Sequence, residues 1–352
     1  MSDNQEKRIW KAGEIQPAAP AHAAKNQRPR KRHPVRGFFA VLGSLLALLL
    51  IAFFGATTIV CLGPSPAARD LFVNTVMETS AAKFLARIYF SEQEIDEILA
   101  RNAVQDDQAV TETVDFEEPD DAEETPDIEL VDVSGATFKG KMLIVKDPSR
   151  VTLAVAPTFD PEVAGLRVEE FAERNDAIAA INGGGFLDEG GVGKGGMPLG
   201  LVIKDGKLLN GGMDTRSSIV GFDNENHLIV GNLSGRECLE RGIRDAVAFG
   251  PAFIVNGEPM EVAGSGGGLN PRTVLGQRAD GAVLMLVIDG RQAHSIGATY
   301  KDCIDVMLEY GAINAGNLDG GSSSMLVYEG EVQNICASLY GSRPLPTAFI
   351  VK

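Results

Sequence analysis

Asn270-Pro-Arg-Thr-Val-Leu-Gly276 and Val283-Leu-Met-Leu-Val-Ile288 are two apolar runs with Asp280-Gly281 between them. Asp-Gly between apolar runs is a strong short-range hairpin signal, because tight hairpin turns need positive φ angles that Gly and Asp tolerate. The same signal recurs at Asp205-Gly206, Asn256-Gly257 and Glu329-Gly330. Its repetition predicts mainly antiparallel sheet. Met142–Val145 and Val151–Val155 flank Asp147-Pro-Ser-Arg150 and read as a further hairpin. Two helices interrupt the strands, one near Val168–Asn175 and one near Tyr300–Tyr310, with Gly311 as the stop of the second. The expected fold is α+β, mainly antiparallel sheet with a few packed helices, over residues 133–352.

Upstream of that domain the texture changes four times. Residues 1–36 are polar and basic, with Arg28, Arg30, Lys31, Arg32 and Arg36 clustered before an apolar run, and read as a disordered tail. Residues 37–62 are the transmembrane anchor. Phe38–Leu62 has no charged residue and exceeds the about 20 residues that a helix needs to cross a bilayer. A cleaved signal peptide is the rival reading, but its apolar core is usually about 7–15 residues. The preceding basic cluster predicts a cytoplasmic N-terminus and an extracytoplasmic remainder, a single-pass protein of the cell membrane.

Residues 63–104 are expected to form a helical stalk. Val73, Met77, Ala81, Phe84 and Ile88 recur at helical spacing, and Ser91-Glu-Gln-Glu94 is a capping box with Phe90 and Ile95 as its hydrophobic staple. The stalk either self-associates or pairs with a partner, or is a spacer on the membrane surface. Residues 105–132 hold many Asp and Glu and no Lys or Arg, and read as a self-repelling tether.

The 352 residues carry a formal charge of -16, and 44% of them are hydrophobic, enough for a globular core of one or two domains. Most of that acidity lies in the tether, so the domain is only mildly acidic. Without a basic face, nucleic acid is excluded as a partner. Cys61, Cys238, Cys303 and Cys336 form no Cys-x-x-Cys pair, which argues against a structural zinc site. Spacing permits one disulfide among the last three without requiring it.

Five stretches could carry chemistry. Asn317-Leu-Asp-Gly-Gly-Ser-Ser-Ser324 joins a carboxylate, Asp319, to the glycines Gly320 and Gly321 and the hydroxyls of Ser322 and Ser323, between a helix and a strand. Glycine backbone can approach a ligand closely and aim N–H groups at an anion; the carboxylate can move a proton. The plain alternative is a polar turn. Ala180-Ile-Asn-Gly-Gly-Gly-Phe186 ends an apolar run at Asn182 and Gly183, which can orient a sugar hydroxyl and let it come close. Gly190–Gly196 lacks the spacing of a nucleotide-binding loop and reads as a flap, with Lys194 an optional anion contact. Arg272 enters an apolar strand, and Asp289-Gly-Arg291 ends the next one, with His294 beyond it as a substrate contact or an ordinary loop histidine. Arg343, before Pro344, is conformationally restricted and suited to gripping phosphate.

The order of these pieces resembles the phosphodiester glycosidase family over about Val131–Lys352, most specifically in Asn317–Ser323. The resemblance implies a catalytic domain acting on sugar-1-phosphate diesters, with bacterial relatives linked to surface polysaccharide. By motif position it carries over to Asn182, Gly183, Arg272, Asp289, Asn317, Asp319, Gly320, Gly321, Ser322, Ser323 and Arg343. Asp319, Asp289 and Asn317 fall in the catalytic set, the roles of the two aspartates being open. Arg272 and Arg343, helped by the 320–323 turn, fall on the phosphate. The expected reaction is hydrolysis of the bond between an anomeric carbon and a phosphate oxygen, with a phosphorylated glycan or sugar-1-phosphodiester as substrate. The alternatives are an anionic-glycan-binding scaffold without catalysis, or glycosyl transfer to an acceptor other than water. No cofactor is implied; a divalent cation bridging the carboxylates is compatible, but no ligand cluster compels one.

Overall fold

A computed structural model describes residues 34–105, 109–117, 126–188, 192–338 and 341–352. The basic tail through residue 33, part of the acidic stretch and the first residues of the 190–196 glycine loop lie outside the described residues. The chain divides into two units, Met1–Phe54 and Gly55–Lys352. Pro34–Leu62 is a single helix, and its Gly37–Leu62 portion is long and apolar enough to cross a membrane. That is compatible with a single-pass anchor or a signal sequence.

The second unit is α+β, with antiparallel pairing throughout its three sheets. The largest has seven strands in the order Ile128–Ser134, Lys139–Val145, Val283–Ile288, Arg272–Arg278, Ala312–Leu318, Ala252–Val255 and Glu258–Pro259. Its central strands are buried along their whole length, as at Val283–Ile288, which explains their unbroken apolar sequence. The helix Tyr300–Glu309 packs Cys303 and Met307 into the core shared with these strands. A five-stranded sheet runs Glu331–Val332, Leu326–Tyr328, Ala179–Asn182, Thr347–Val351 and Val151–Val155, with the helix Val168–Arg174 against it. The third sheet contains Lys207–Asn210, Val202–Lys204, Ile243–Ala248, Arg216–Asp223 and Leu228–Ser234.

The hairpin signals work where backbone sign demands them. Asp205 and Gly206 (φ 50° and 69°), Asn256 and Gly257 (55° and 84°) and Glu329 and Gly330 (52° and 77°) all turn with positive φ between paired strands. Asp147–Arg150 does not make the expected hairpin. Lys139–Val145 pairs within the seven-stranded sheet, whereas Val151–Val155 pairs with Thr347–Val351 in another. The short helix Pro148–Arg150 thus turns a corner between sheets.

Two further expectations are corrected. The continuous helix through Val73 and Ile88 breaks: Pro66–Met77 ends, Glu78–Ala82 turns, and Lys83–Arg87 resumes. These helices and the capped Glu92–Ala100 bury Val73, Val76, Ala86, Ile95 and Ile98 among themselves, but they also bond to the domain rather than standing off as a stalk. Asn102 Oδ1 accepts from Ser265 N at 2.8 Å, and Thr75 Oγ1 accepts from Leu269 N at 3.0 Å. The described residues 109–117 of the acidic stretch are not a free tether, and the strand Ile128–Ser134 runs through the expected boundary at 133. Thr111 N donates to Val230 O, Glu117 N to Ala279 O, and Phe116 lies 4.6 Å from the His227 ring. Its apolar residues and backbone strap it down despite its charge. Cys61, Cys238, Cys303 and Cys336 are free thiols.

Candidate active site

The strands Val283–Ile288 and Ala312–Leu318 both pair with Arg272–Arg278, one on each side, so they run parallel and end at the same edge of the sheet. Asp289 follows one and Asp319 the other. Pro271, at the head of the middle strand, sits between them. A Cβ on Gly290 would come 2.5 Å from Pro271 N, and one on Gly320 would come 2.9 Å from Pro271 O, so each aspartate must be followed by glycine.

Asp319 faces a cavity of about 380 Å³. The turn Gly320–Ser323 lines it. Phe186, Leu199 and Phe249 supply an apolar side; Arg291, Arg343 and Asp188 supply charge; Glu78–Ala81 closes the remaining wall. Asp319 is half-buried by surface but densely surrounded by protein. Burial pushes its carboxyl up to about 6, against the opposing pull of the Ser323 hydroxyl, the Arg343 charge and the Gly320 N–H. A carboxyl that titrates near neutrality at the end of a rigid strand is suited to proton transfer.

Asn182 sits behind Asp319. It is buried, donates from Nδ2 to Asp319 O at 2.6 Å, and accepts at Oδ1 from Thr273 Oγ1 and Met325 N. Asp319 N in turn donates to Gly183 O at 3.1 Å. The Asn-Gly motif therefore locks the carboxylate's backbone to the neighbouring sheet; it does not present a side chain to a sugar. Of the amides expected to cradle an anion, Gly321 N donates to Pro271 O and Ser323 N to Gly320 O, so these two fold the turn, while the Gly320 N–H donates to the Asp319 carboxyl.

Arg343 does reach the cavity. It forms a two-point pair with Asp188 at 2.8 Å for each contact and lies 4.8 Å over the Phe186 ring. The Arg343 contact holds the Asp188 carboxyl below its ordinary range, and Asp188 raises Arg343 in return. Arg272 is not a cavity residue. It is 4% exposed, ion-paired to Glu78 at 2.7 Å, and stacked 4.1 Å from the Tyr300 ring centroid. It also donates from Nε to Ala298 O and from Nη2 to Gly268 O.

Asp289 and His294 are corrected as well. Asp289 Oδ1 accepts from Asn334 Nδ2 at 3.1 Å and Ile335 N at 2.9 Å, and Oδ2 faces His294 Nε2 at 3.4 Å. This carboxylate clamps the 334–335 loop and lies away from the cavity lining. Asn317 braces the strand from behind, donating from Nδ2 to Gly250 O at 2.8 Å, and belongs to the support of the site. Three charged residues of the cavity, Glu78, Asp188 and Arg291, carry no role in the sequence analysis. Asp188 lies two positions after Phe186, and Arg291 lies inside Asp289-Gly-Arg291. Glu78 carried no signal, because its partner is far away in sequence. Among the described residues no cluster of His, Cys, Asp and Glu could hold a metal ion.

Known proteins resemble this chain over part of their length. A Bacillus subtilis (strain 168) protein named SPbeta prophage-derived uncharacterized protein YomE is 32% identical over 177 residues, covering 47% of this chain and 27% of that protein. The Bos taurus N-acetylglucosamine-1-phosphodiester alpha-N-acetylglucosaminidase is 26% identical over 212 residues, covering 54% of this chain and 39% of the relative. The chain thus spans well under half the length of either relative. In structure, the zebrafish catalytic domain of the same-named enzyme, auto-inhibited by its pro-peptide, superposes with a TM-score of 0.54 at 20% identity, over 69% of this chain and 88% of that one. That likeness concerns the fold. The phosphodiester glycosidase family model matches residues 175–352, half the chain, and by that match the chain belongs to the phosphodiester glycosidase family.

Proposed function

We propose that this protein is a membrane-anchored, extracytoplasmic hydrolase that cleaves the glycosyl–phosphate bond of sugar-1-phosphodiesters, in the metabolism of surface polysaccharide. Family membership supports hydrolase chemistry. The observation that carries the finer reading is Asp319, a carboxyl raised toward neutrality on a cavity that pairs an apolar side with two arginines.

The reaction makes modest demands. A phosphate monoester is a stable leaving anion, so the bond between the anomeric carbon and the phosphate oxygen breaks with both electrons going to phosphate. Water supplies the new bond to the anomeric carbon, and Asp319 in its ionised form takes the water proton. Arg291 and Arg343 offset the charge that develops on the departing phosphate. Phe186, Leu199 and Phe249 offer a face for the sugar ring. A single cavity carboxylate serves as base, and Asp289 takes no part.

The test is incubation of the full chain in detergent with a panel of sugar-1-phosphate diesters. Release of free sugar without transfer to an added sugar acceptor supports hydrolysis. Transfer product, or binding of the diester without release, contradicts it.

A further inference from the structure

The wall of the cavity formed by Glu78–Ala81 comes from the helical segment ahead of the family-matched region. Its contact with the domain is close. The stretch Ser265-Gly-Gly-Gly268 lies directly against the helix: a Cβ on Gly268 would come 2.3 Å from the Thr75 backbone. Glu78, at the end of that helix, reaches past these glycines and accepts three bonds, from Gly268 N at 2.9 Å, Asn270 Nδ2 at 3.0 Å and Arg272 Nη2 at 2.7 Å.

Asn270 passes the contact on. With its Nδ2 directed to the Glu78 carboxylate, its Oδ1 faces the other way and accepts from Arg291 Nε at 3.2 Å and Nη2 at 2.9 Å. Thr79 Oγ1 donates to the same oxygen at 3.3 Å. A carboxylate on one side and a guanidinium on the other leave the amide one orientation. Arg291 lines the cavity beside Asp319, whereas Arg272 is enclosed behind it. Arg291 is exposed by surface, but the protein packed around its guanidinium and the nearby Arg272 charge pull it below the usual guanidinium range, and Glu78 is the first of the groups that oppose this. Glu78 therefore permits two arginines to sit together and divides their labour.

We propose that the helical segment is a working part of the active site, with Glu78 a positioning residue that acts through Asn270 to hold Arg291 as a phosphate-binding group of the cavity beside Arg343. This rests on the anionic substrate class proposed above. It makes the 78–81 turn a determinant of which phosphate esters fit.

The experiment uses the full chain and inorganic phosphate as probe, with affinity measured by calorimetry for Glu78→Gln and Asn270→Ala, each alone and combined with Arg291→Met. Each substitution alone should weaken phosphate binding about tenfold, the scale of a charge-assisted contact, and neither should matter by more than about twofold once Arg291 is gone. Asn270→Ala keeps the Glu78–Arg272 pair, so it carries the test should Glu78→Gln fail to fold. Equal losses in both backgrounds, unchanged or tighter affinity in the single variants, or no phosphate binding by the unaltered protein would overturn the proposal. Phosphate binding with the expected coupling but no cleavage of any diester would instead remove the hydrolase reading and leave this site standing.

Discussion

Asp289 and Asp319 leave the same edge of one sheet, each at the end of an apolar strand and each followed by a glycine packed on Pro271. Their fates differ. Asp289 is 7% exposed and holds the 334–335 loop through Asn334 Nδ2 and Ile335 N. Asp319 opens on the cavity, with its backbone fixed by Asn182 and Gly183 and its carboxyl raised by burial. The strand end delivers a carboxylate to the right edge. What packs over it from elsewhere in the chain decides whether it is a clamp or a reagent.

The comparison breaks most visibly by substitution. Asp319→Asn should lower kcat by about 10²-fold or more, the usual contribution of a positioned proton-transfer group. Asp289→Ala should leave kcat of the folded protein within a few fold of normal. It should instead lower stability by about 1–3 kcal/mol, because it strands the Asn334 and Ile335 donors; chemical denaturation measures this.

The arginines divide in the same way. Arg272→Ala should cost about 3–5 kcal/mol of stability, the penalty for leaving one member of a buried ion pair. Arg343→Ala should instead raise KM by about tenfold to a hundredfold, on the scale of a hydrogen bond to a charged group. It also removes a cation that lowers the Asp319 carboxyl, so the acidic limb of activity should move to higher pH. If Arg272→Ala raises KM without loss of stability, the two roles have been assigned the wrong way round.

A smaller effect concerns stability and pH. The Asp319 carboxyl is raised on folding, so the folded state binds more protons than the unfolded state between about 4 and 6. Its ionisation thus costs stability above about pH 6, and that cost disappears as pH falls through the ordinary carboxyl range. Asp319→Asn should accordingly have a higher Tm than the parent at pH 8, with the gap closing by pH 4. Smallest of all, His294→Ala should change stability by no more than about 0.5 kcal/mol, since the half-exposed ring meets Asp289 only at 3.4 Å.

Much of the fold was legible because its signals are local. Asn256-Gly257 and Glu329-Gly330 turn where positive φ is needed, and Gly311 stops its helix at φ 80°. Asp147–Arg150 misled because a turn signal says that the chain bends, without saying which strand it pairs with next. The helical segment misled for a related reason. The spacing of Val73 and Ile88 reveals an apolar face, but what covers that face lies in other helices, and Glu78 finds Arg272 at a sequence separation of 194 that no local spacing encodes. The ordered motifs led to Asp319, Arg343 and the 320–323 turn on the cavity, while Asn182, Asn317 and Arg272 proved to be its supports. Motif position identifies the neighbourhood of a site; hydrogen-bond partners separate reagent from scaffold.

The most direct test of the Asp319 assignment is the pH dependence of kcat/KM on a cleaved sugar-1-phosphodiester, for the unaltered chain and for Asp289→Asn. Activity should rise with pH through a single limb near 6, as the Asp319 carboxyl ionises, and the limb should be in the same place in Asp289→Asn. A limb in the ordinary carboxyl range near 4, or one that moves or vanishes in Asp289→Asn, would contradict the account.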